Sequence, residues 1–471
     1  MIDLLRRRLE GKTILLLGFG REGESSYRQI RKLFPQKTIG IADRQSGIPE
    51  RKELQGDTNL EFFCGDDYLD AINRFDLVLK SPGISLAGVN PPVDAEKITS
   101  QTDLFLEAFS GQTIGITGTK GKSTTSSLIC HILTIAGRDA VLLGNIGTPA
   151  WHFIDRITPE TIIVDELSSH QLEYIHRGPH IALLLNIFEE HLDAYASYLD
   201  YQLAKLKIAT TQQAGDFLLY NADDPVLQEH IRQPESLIPN PISHISHLST
   251  NIPFSFSEHT GMGAFKRGRE LVVRVPGRDE LVVRELHNRY LRGSHNLRNI
   301  MAAITACRLE GVEEEAILDG LASFKGLAHR MEDLGERHGI RWVNDSIATI
   351  PEACMAAMQS IPGVDTLVLG GFDRGIRYDA LARFLLGDPV RTLILVGAAG
   401  RRIGTEIERI DPSANTRKNL FYINRFDEFL PLALKHTRPG AACLLSPAAS
   451  SYDEFRSFEE RGFRFRELVE G

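Results

Sequence analysis

Short apolar runs alternate with longer segments of helical periodicity along most of the chain, and this alternation predicts an α/β fold. The runs are three to five residues long and are mostly Ile, Leu and Val, which is typical of strands buried on both faces of a parallel sheet. The predicted strands are Thr13–Leu17, Thr38–Ala42, Leu77–Lys80, Thr113–Thr117, Thr161–Val164, Ile181–Leu185, Ile340–Val343, Thr366–Leu369, Thr392–Val396 and Cys443–Leu445.

The grouping of these strands predicts three domains, as the length of 471 residues also suggests. Residues 1–100 are predicted to form a Rossmann-like domain. Residues 101–325 predict a central domain with a parallel sheet and a small antiparallel sheet. The antiparallel part follows from Leu271–Val275 and Leu281–Glu285, which alternate apolar and polar residues around a turn, as a β-hairpin does. Residues 326–471 predict a second Rossmann-like domain.

Composition narrows the class of protein. The net charge of −9 argues against a nucleic-acid partner held by bulk electrostatics. The five cysteines form no CxxC pair, so neither a disulfide framework nor a zinc site is indicated. The amino terminus does not resemble a signal peptide, and no apolar run approaches the ~20 residues that cross a bilayer. We therefore expect a cytoplasmic monomer without a nucleic-acid or membrane partner.

A first glycine loop, Gly18-Phe-Gly20-Arg-Glu-Gly23, joins a predicted strand to a predicted helix, and Asp43 lies twenty residues beyond Gly23. This spacing is typical of a dinucleotide fingerprint, in which glycines permit a tight turn, the helix amino terminus receives a pyrophosphate and the acid binds a ribose. The motif alone predicts binding of a diphosphate-linked nucleoside, with NAD or NADP included. The alternative is a tight βα turn followed by a surface aspartate.

A second loop, Gly115-Ile-Thr-Gly118-Thr-Lys-Gly121-Lys122-Ser123-Thr124, also joins a strand to a helix. Backbone N–H groups in such a loop cradle phosphates, Lys122 supplies a positive charge and Ser123 can bind magnesium. The loop departs from the usual pattern because Ile116 stands where the first glycine is expected. It predicts ATP binding, for which a dehydrogenase has no use.

Further polar residues follow two of the strands of the central domain. Glu166 and His191 lie just after predicted strands, so both are candidate magnesium ligands at the carboxyl edge of the sheet. Taken singly, each candidate has an ordinary interpretation. His191 fits a loop or cap histidine, Lys205 a solvated lysine on a helix, Asn145 a loop cap, and Asn299 a residue near a helix start.

Taken together, these residues resemble the Mur ligase family over nearly the whole chain. The carboxyl-terminal Ser-Pro-Ala and Phe-Glu-x-Arg-Gly blocks, with the short Rossmann-like amino-terminal domain, resemble the glutamate-adding members. The matching segments, in family order, are Thr117–Thr124, Glu166, Asn186–His191, Ala204–Lys205, His295–Asn299, Gly326–Glu332, Asn344–Ser346, Gly370–Gly375 and Ser446–Ala448.

The resemblance implies an ATP-dependent, amide-bond-forming ligase of peptidoglycan precursor synthesis, and hence of cell-wall growth, cell shape and division. Its substrates would be UDP-N-acetylmuramoyl-L-alanine, glutamate and ATP, joined through an acyl phosphate. It also implies two Mg²⁺ sites and a carbamylated lysine at Lys205. D-glutamate is the family default, and a related group of ligases that adds L-glutamate is the alternative.

The resemblance assigns roles residue by residue. The ATP-binding residues would be Gly118, Thr119, Lys120, Gly121, Lys122, Ser123, Thr124, Asn299, Arg330 and Asp345. The UDP-substrate residues would be Gly18, Gly20, Arg21, Glu22, Gly23, Asp43, Arg44, Ser81, Pro82, Gly83 and Asn145. The glutamate residues would be Thr349, Arg374, Ser451 and Phe458. The metal ligands would be Ser123, Glu166, His191 and carbamylated Lys205, and the catalytic residues Lys122, Glu166, His191 and Lys205.

One position departs from the family pattern. The usual lysine after the Asp-Ser pair of the third domain is replaced by Ile347. A charge-assisted hydrogen bond contributes roughly 1.5–3 kcal/mol, so its loss without replacement weakens glutamate binding by about 10- to 100-fold. Arg374 still offers a bidentate carboxylate partner. A rearranged subsite is what a ligase specific for L-glutamate would require.

Three other functions were weighed. A folate-type polyglutamate ligase lacks the amino-terminal glycine-loop domain, so residues 1–100 argue against it. A nicotinamide-dependent oxidoreductase leaves residues 160–471 unexplained. A non-catalytic sensor of UDP-muramoyl precursors is disfavoured because the candidate catalytic residues named above are all present.

Overall fold

The computed structural model of the protein describes residues 1–86, 89, 93–145, 148–190, 195–232, 249–284, 288, 290–291 and 293–471. It separates into two compact units, Met1–Phe324 and Lys325–Gly471. The first unit holds two sheets and the second holds one. The finer division of the first unit at residue 100 stays a prediction. Within the described ranges, no helix combines the length and apolar character needed to cross a membrane.

The first sheet has five parallel strands in the order β3-β2-β1-β4-β5. Its central strand is Ile-Leu-Leu-Leu, buried at every position, as expected for a strand covered on both faces. The strand order reverses between β1 and β4, which is where ligands bind in doubly wound sheets. The elements are β1 (Ile14–Leu17), β2 (Ile39–Asp43), β3 (Leu60–Cys64), β4 (Leu77–Lys80), β5 (Ile98–Thr99), α1 (Ile2–Leu9), α2 (Arg21–Leu33) and α3 (Gln101–Phe109).

The second sheet has nine strands in the order β14-β13-β12-β11-β10-β9-β6-β8-β7. The strands are β6 (Thr113–Thr117), β7 (Ala140–Gly144), β8 (Ile162–Glu166), β9 (Ile181–Leu184), β10 (Asp216–Asn221), β11 (Ser249–Ser255), β12 (Gly263–Arg267), β13 (Glu270–Arg274) and β14 (Leu281–Val283). The helices are α4 (Lys122–Ile135), α5 (Ser169–Leu172), α6 (Tyr198–Thr210), α7 (Pro225–Arg232), α8 (Ser294–Leu309) and α9 (Glu314–Ser323).

The predicted hairpin is present in this second sheet. Val273 pairs antiparallel with Leu281, and β13 also pairs antiparallel with β12. Because β12 pairs with β11, the antiparallel strands continue the edge of the parallel sheet. The helix that follows the second glycine loop, α4, packs its apolar face into the core of this sheet together with α8 and α9.

The sheet of the second unit has the order β15-β16-β20-β17-β18-β19, and only the edge strand β15 runs antiparallel. Apolar clusters cover both of its faces, and one of them is built around Trp342 and Phe465. The elements are β15 (Glu332–Arg337), β16 (Ile340–Asn344), β17 (Val364–Gly370), β18 (Thr392–Val396), β19 (Asn419–Ile423), β20 (Ala442–Leu445), α10 (Pro351–Ser360), α11 (Asp379–Gly387), α12 (Gly397–Ile410), α13 (Ala414–Arg417), α14 (Phe429–His436) and α15 (Phe458–Glu470).

The end of β17 depends on a glycine. Gly370 has a φ of +106°, and a Cβ atom there would lie 2.1 Å from the carbonyl oxygen of Val396. We expect Gly370→Ala to lower the free energy of unfolding of the second unit by about 2 kcal/mol or more, because both the backbone angle and the contact become strained. Gly387→Ala is the matched control. Gly387 ends helix α11 with open space around it, so its replacement should leave stability unchanged or slightly raised. Chemical unfolding measures both, and equal effects would contradict this account.

Candidate active site

The switch point of the first sheet opens into a pocket of about 240 Å³. The first glycine loop forms one wall, the loop after β4 another, and the end of β7 with helix α5 the third. Six of the residues predicted to bind the UDP substrate therefore lie together. The pocket is lined by Gly20, Arg21, Glu22, Ser81, Pro82, Gly144, Asn145, Pro149 and Gln171.

Predicted residues in and around this pocket also shape the glycine loop. A Cβ atom at Gly23 would lie 2.1 Å from the carbonyl oxygen of Gly18, so only glycine permits this turn. The hydroxyl of Ser81 donates to that same oxygen at 3.0 Å. Asp43 accepts a hydrogen bond from the backbone N–H of Phe19 at 2.7 Å, so its carboxylate supports the loop from the end of β2.

Two residues of the same prediction lie apart from the lining. Arg44 is exposed and forms a loose ion pair with Asp66 at 3.6 Å. Gly83 has a φ of +81°, with open space around it. Their predicted contacts with the substrate stay predictions.

Glu22 is an acid inside the pocket. Its Oε1 accepts a hydrogen bond from the side-chain amide of Gln171 at 3.0 Å, while its buried Oε2 has no partner among the described residues. Burial raises the pKa of Glu22 to about 7, and burial together with the charge of Glu22 raises the pKa of Asp165 to about 8. Carboxyl groups that keep their protons near neutral pH reduce the negative charge that an anionic ligand would meet.

The second glycine loop is held in place by side chains from distant segments. Asn186 accepts a hydrogen bond from the backbone N–H of Lys120 at 2.8 Å and donates to the carbonyl of Lys120 at 2.9 Å. A Cβ atom at Gly121, where φ is +90°, would lie 2.5 Å from the Oδ1 atom of Asn299. Helix α4 begins directly afterwards at Lys122, so its amino terminus and the loop N–H groups can receive phosphates.

Lys122 and Lys205 meet at one backbone atom. Their ammonium groups donate to the carbonyl oxygen of Gly118 at 2.8 Å and 3.0 Å respectively. Lys205 is only 2% exposed, so the interpretation of it as a solvated lysine is wrong. Burial, reinforced by the charge of Lys122, lowers the pKa of Lys205 to about 7. A considerable fraction of this amine is therefore neutral, and nucleophilic, near pH 7.

Glu166 lies beside the second glycine loop because of strand register. Gly144, Glu166 and Ile116 stand in one row across β7, β8 and β6. The Oε1 atom of Glu166 accepts from the side-chain amide of Asn145 at 2.8 Å, and its buried Oε2 has no partner among the described residues. An unpaired buried carboxylate oxygen is the ligand type that Mg²⁺ prefers.

His191 lies outside the described residues, and the Ser123 side chain is half-buried at the start of α4. Within the described part of the chain, no group of three or more His, Cys, Asp and Glu side chains could hold a metal ion unaided. A metal at Glu166 would therefore need oxygen atoms from elsewhere, such as a hydroxyl or a nucleotide phosphate.

The second unit brings three of its predicted segments together at Asp345. The carboxylate accepts from the backbone N–H of Met331 at 3.1 Å and from the hydroxyl of Ser446 at 2.8 Å. Burial raises the pKa of Asp345 to about 6, and the charge of exposed Arg330 acts in the opposite direction.

Three of the residues predicted for glutamate, Thr349, Arg374 and Ser451, lie on the loops after β16, β17 and β20, where neighbouring strands end, and Phe458 begins helix α15. Arg374 donates to the carbonyl of Thr349 at 3.0 Å, so two of them are in contact. Ser451 is buried, and the carbonyl of Phe458 accepts from the hydroxyl of Ser346 at 2.8 Å. Ile347 is half-buried beside this group.

The sequence analysis missed two residues that support the site. Gln171 lines the pocket and is fixed by a capping box with Ser168, a signal that the Ser-x-x-Gln spacing contains. The hydroxyl of Tyr201 lies 2.9 Å from that of Thr119, and its ring lies 4.9 Å from the Lys205 ammonium. Nothing in the sequence distinguishes Tyr201 from an ordinary core tyrosine.

Comparison with known proteins identifies the relatives of this chain. Residues 116–307 match the family model of the Mur ligase middle domain. A UDP-N-acetylmuramoylalanine–D-glutamate ligase from Symbiobacterium thermophilum is 35% identical over 460 residues, which cover 95% of this chain and 96% of that protein. A ligase of the same name from Listeria monocytogenes is 32% identical and covers 97% of this chain and 96% of its own length.

Solved structures share the fold at low sequence identity. A crystal structure of MurF from Acinetobacter baumannii has a TM-score of 0.57 at 16% identity and covers 98% of this chain and 92% of that chain. The UDP-N-acetylmuramate–alanine ligase MurC from Thermotoga maritima has a TM-score of 0.51 at 16% identity, with 98% and 99% covered.

The environment of Glu22 predicts how stability depends on pH. The unfolded chain releases this proton near pH 4.5 and the folded chain near pH 7, so ionisation opposes folding increasingly between these values. Glu22→Gln should therefore be more stable than the parent protein at pH 8, by on the order of 2 kcal/mol, and the difference should shrink towards pH 5. Glu24→Gln, which removes a surface carboxylate paired with Arg28, is the control and should show little pH-dependent difference. A Glu22→Gln effect that is constant across pH would contradict the assignment.

Proposed function

The chain belongs to the Mur ligase family and is an ATP-dependent ligase that forms amide bonds, and we propose that it adds D-glutamate to UDP-N-acetylmuramoyl-L-alanine in peptidoglycan precursor synthesis. One observation carries the proposal: the diphosphate-type loop at Gly20 and Asn145 line one pocket, and Asn145 donates to Glu166, which lies beside the phosphate loop. The names of the relatives, which span almost the whole chain, support D-glutamate as the amino acid.

The L-glutamate-adding activity is the second candidate. Ile347 stands where the family has a lysine, so the subsite presents a different set of charges to the amino acid. This difference favours the L-glutamate-adding activity. Arg374 is exposed and donates to the Thr349 carbonyl through one nitrogen, so the rest of its guanidinium can meet a substrate carboxylate.

We propose the following substrate roles for residues of the first unit. The loop at residues 18–23, with Ser81 to Gly83, would hold the diphosphate, and Asp43 and Arg44 would lie towards the uridine. Asn145 would contact the muramoyl-alanine part. We assign these roles to a UDP-binding domain of residues 1–100, an ATP-binding domain of residues 101–325 and an amino-acid-binding domain of residues 326–471.

ATP would lie on the loop from Gly118 to Thr124, against Asn299. We retain Arg330 and Asp345 as proposed adenosine-binding residues. The alanine carboxylate attacks the γ-phosphorus, ADP leaves and an acyl phosphate forms. The glutamate amine then attacks the acyl carbon and loses a proton, and phosphate leaves. Lys122 neutralises charge that develops on the transferred phosphoryl group, since its ammonium lies at the loop. Thr349, Arg374, Ser451 and Phe458 would position the incoming glutamate.

Magnesium fits the residues of the first unit. Ser123 and the unpaired oxygen of Glu166 would hold one ion, and His191 and Lys205 a second. When bound, Mg²⁺ would neutralise phosphate charge and polarise the phosphoryl oxygens. Lys205 would serve as a carbamate: its neutral amine attacks CO₂, an N–C bond forms and a proton leaves, which yields an anionic oxygen ligand. The buried position and lowered pKa of Lys205 support this step.

We also propose that the protein acts as a monomer in the cytoplasm. All five cysteines are unpaired, and Cys307, Cys354 and Cys443 are buried, which fits a reducing compartment.

An activity assay tests the function directly. Phosphate release from ATP should require both UDP-N-acetylmuramoyl-L-alanine and glutamate, and the D-enantiomer should support it better than the L-enantiomer. Ile347→Lys should then improve use of D-glutamate, because the added ammonium meets a substrate carboxylate. In a subsite built for L-glutamate, that lysine would be half-buried without a partner and activity would fall. Release that does not depend on the UDP substrate would rule out the proposed function.

Lys205 provides a second test. Lys205→Ala should lose turnover by at least about 100-fold, and added formate or acetate should restore part of it by supplying an oxygen ligand. Lys207→Ala is the matched control, since Lys207 is also partly buried but donates to the Glu173 carbonyl on another side of α6. It should keep most of its turnover and gain nothing from carboxylates. Equal loss in both variants, or no rescue of Lys205→Ala, would count against the carbamate.

A further inference from the structure

Helix α15 carries an arginine whose side chain is buried within the second unit. Arg461 is only 2% exposed. Its Nε donates to the hydroxyl of Ser346 at 3.0 Å, and its Nη2 donates to the carbonyls of Ser346 and Ala449 at 2.9 Å and 3.1 Å. The guanidinium thus connects the loop after β16 to the loop after β20, and these strands are neighbours in the sheet.

The remaining nitrogen of Arg461 lies next to a third loop. A Cβ atom at Gly371, just after β17, would lie 3.1 Å from Nη1, and Nη1 has no hydrogen-bond partner among the described residues. The three loops that surround the guanidinium are the ones that carry Thr349, Arg374 and Ser451. Arg461 therefore lies beneath the predicted glutamate residues.

The charge of this guanidinium is not neutralised by an ion pair. Within the described residues no carboxylate lies within ion-pair distance of Arg461, and Asp453 is the acid whose charge acts on it. Burial lowers the pKa of Arg461 to about 10, so the side chain is still positive at neutral pH. A buried cation without a counter-ion is costly, and a carboxylate brought in by a ligand would relieve that cost.

We propose that Arg461 is the buried cation of the amino-acid subsite, a positioning residue that links two of its loops and lies against the third, and whose charge selects a dicarboxylic amino acid over a neutral one. The inference rests on the proposed function, because it takes these loops to receive glutamate. Arg461 contacts Ser346, and Ser346 immediately precedes Ile347, the position at which the family lysine is absent. The guanidinium therefore supplies a positive charge close to where that lysine would stand.

The test compares glutamate with its neutral side-chain amide. In Arg461→Met the glutamate KM should rise about tenfold, which corresponds to about 1.4 kcal/mol. Glutamine of the same configuration is then measured as a competitive inhibitor, and its inhibition constant should change less than about twofold. The KM values for ATP and the UDP substrate should also stay within about twofold, whereas a merely structural role would change all four constants together.

Arg464→Met is the matched control on the same helix. Arg464 is paired with Asp427, away from the three loops. Its replacement should leave the ratio of the glutamate KM to the glutamine inhibition constant unchanged. If Arg461→Met does not fold, as judged by circular dichroism, Arg461→Lys serves as the test variant. Lysine keeps the positive charge, so the ratio of the glutamate KM to the glutamine inhibition constant should stay as in the parent protein while kcat falls. The inference is overturned if folded Arg461→Met leaves the ratio of the two constants unchanged, or if folded Arg461→Lys raises it. Absence of glutamate-dependent turnover in the parent protein overturns the proposed function instead.

Discussion

Two ammonium groups share one backbone carbonyl in the first unit, and the candidate site is arranged around that contact. Lys122 comes from the start of α4 and Lys205 from α6, and Gly118 accepts from both. Like charges so close together, with one side chain buried, are unfavourable unless anions approach or one amine loses its proton. The lowered pKa of Lys205 is one response to this constraint. The phosphates and the carbamate of the proposed reaction would be another.

The fold was predictable where burial is complete. Each of the ten apolar runs coincides with an observed strand, because a strand covered on both faces needs apolar residues at nearly every position. The strand β3 was missed because Glu61 and Phe62 are exposed, so its pattern is not a continuous apolar run. The edge strands β15 and β19 are likewise only partly buried, and β15 has no apolar run at all. An apolar run does not indicate which strands are neighbours in the sheet. The attachment of β12–β14 to the parallel sheet therefore could not be predicted from the sequence.

The candidate site was predictable in its loops but less so in its environment. Both glycine loops lie where the spacing places them, since the strand-to-helix turn is a local property. The burial of Lys205 depends on Gly118, 87 residues away in the chain, and no local pattern reports such a contact. Arg461 was visible only as one letter of a matching block, whereas its function as a link between loops requires three separate segments to meet. The roles assigned to individual residues stay predictions.

Asn145 has a consequence for how the two halves of the site communicate. It lines the pocket, and its side-chain amide also donates to the carboxylate of Glu166. A molecule that draws this amide towards itself withdraws a hydrogen bond from Glu166 and leaves that carboxylate more available to a cation. Thermodynamic linkage makes the effect reciprocal: a cation on Glu166 must change the affinity of the pocket by the same factor. Occupancy of the pocket and cation binding at Glu166 would then be coupled through this single side chain.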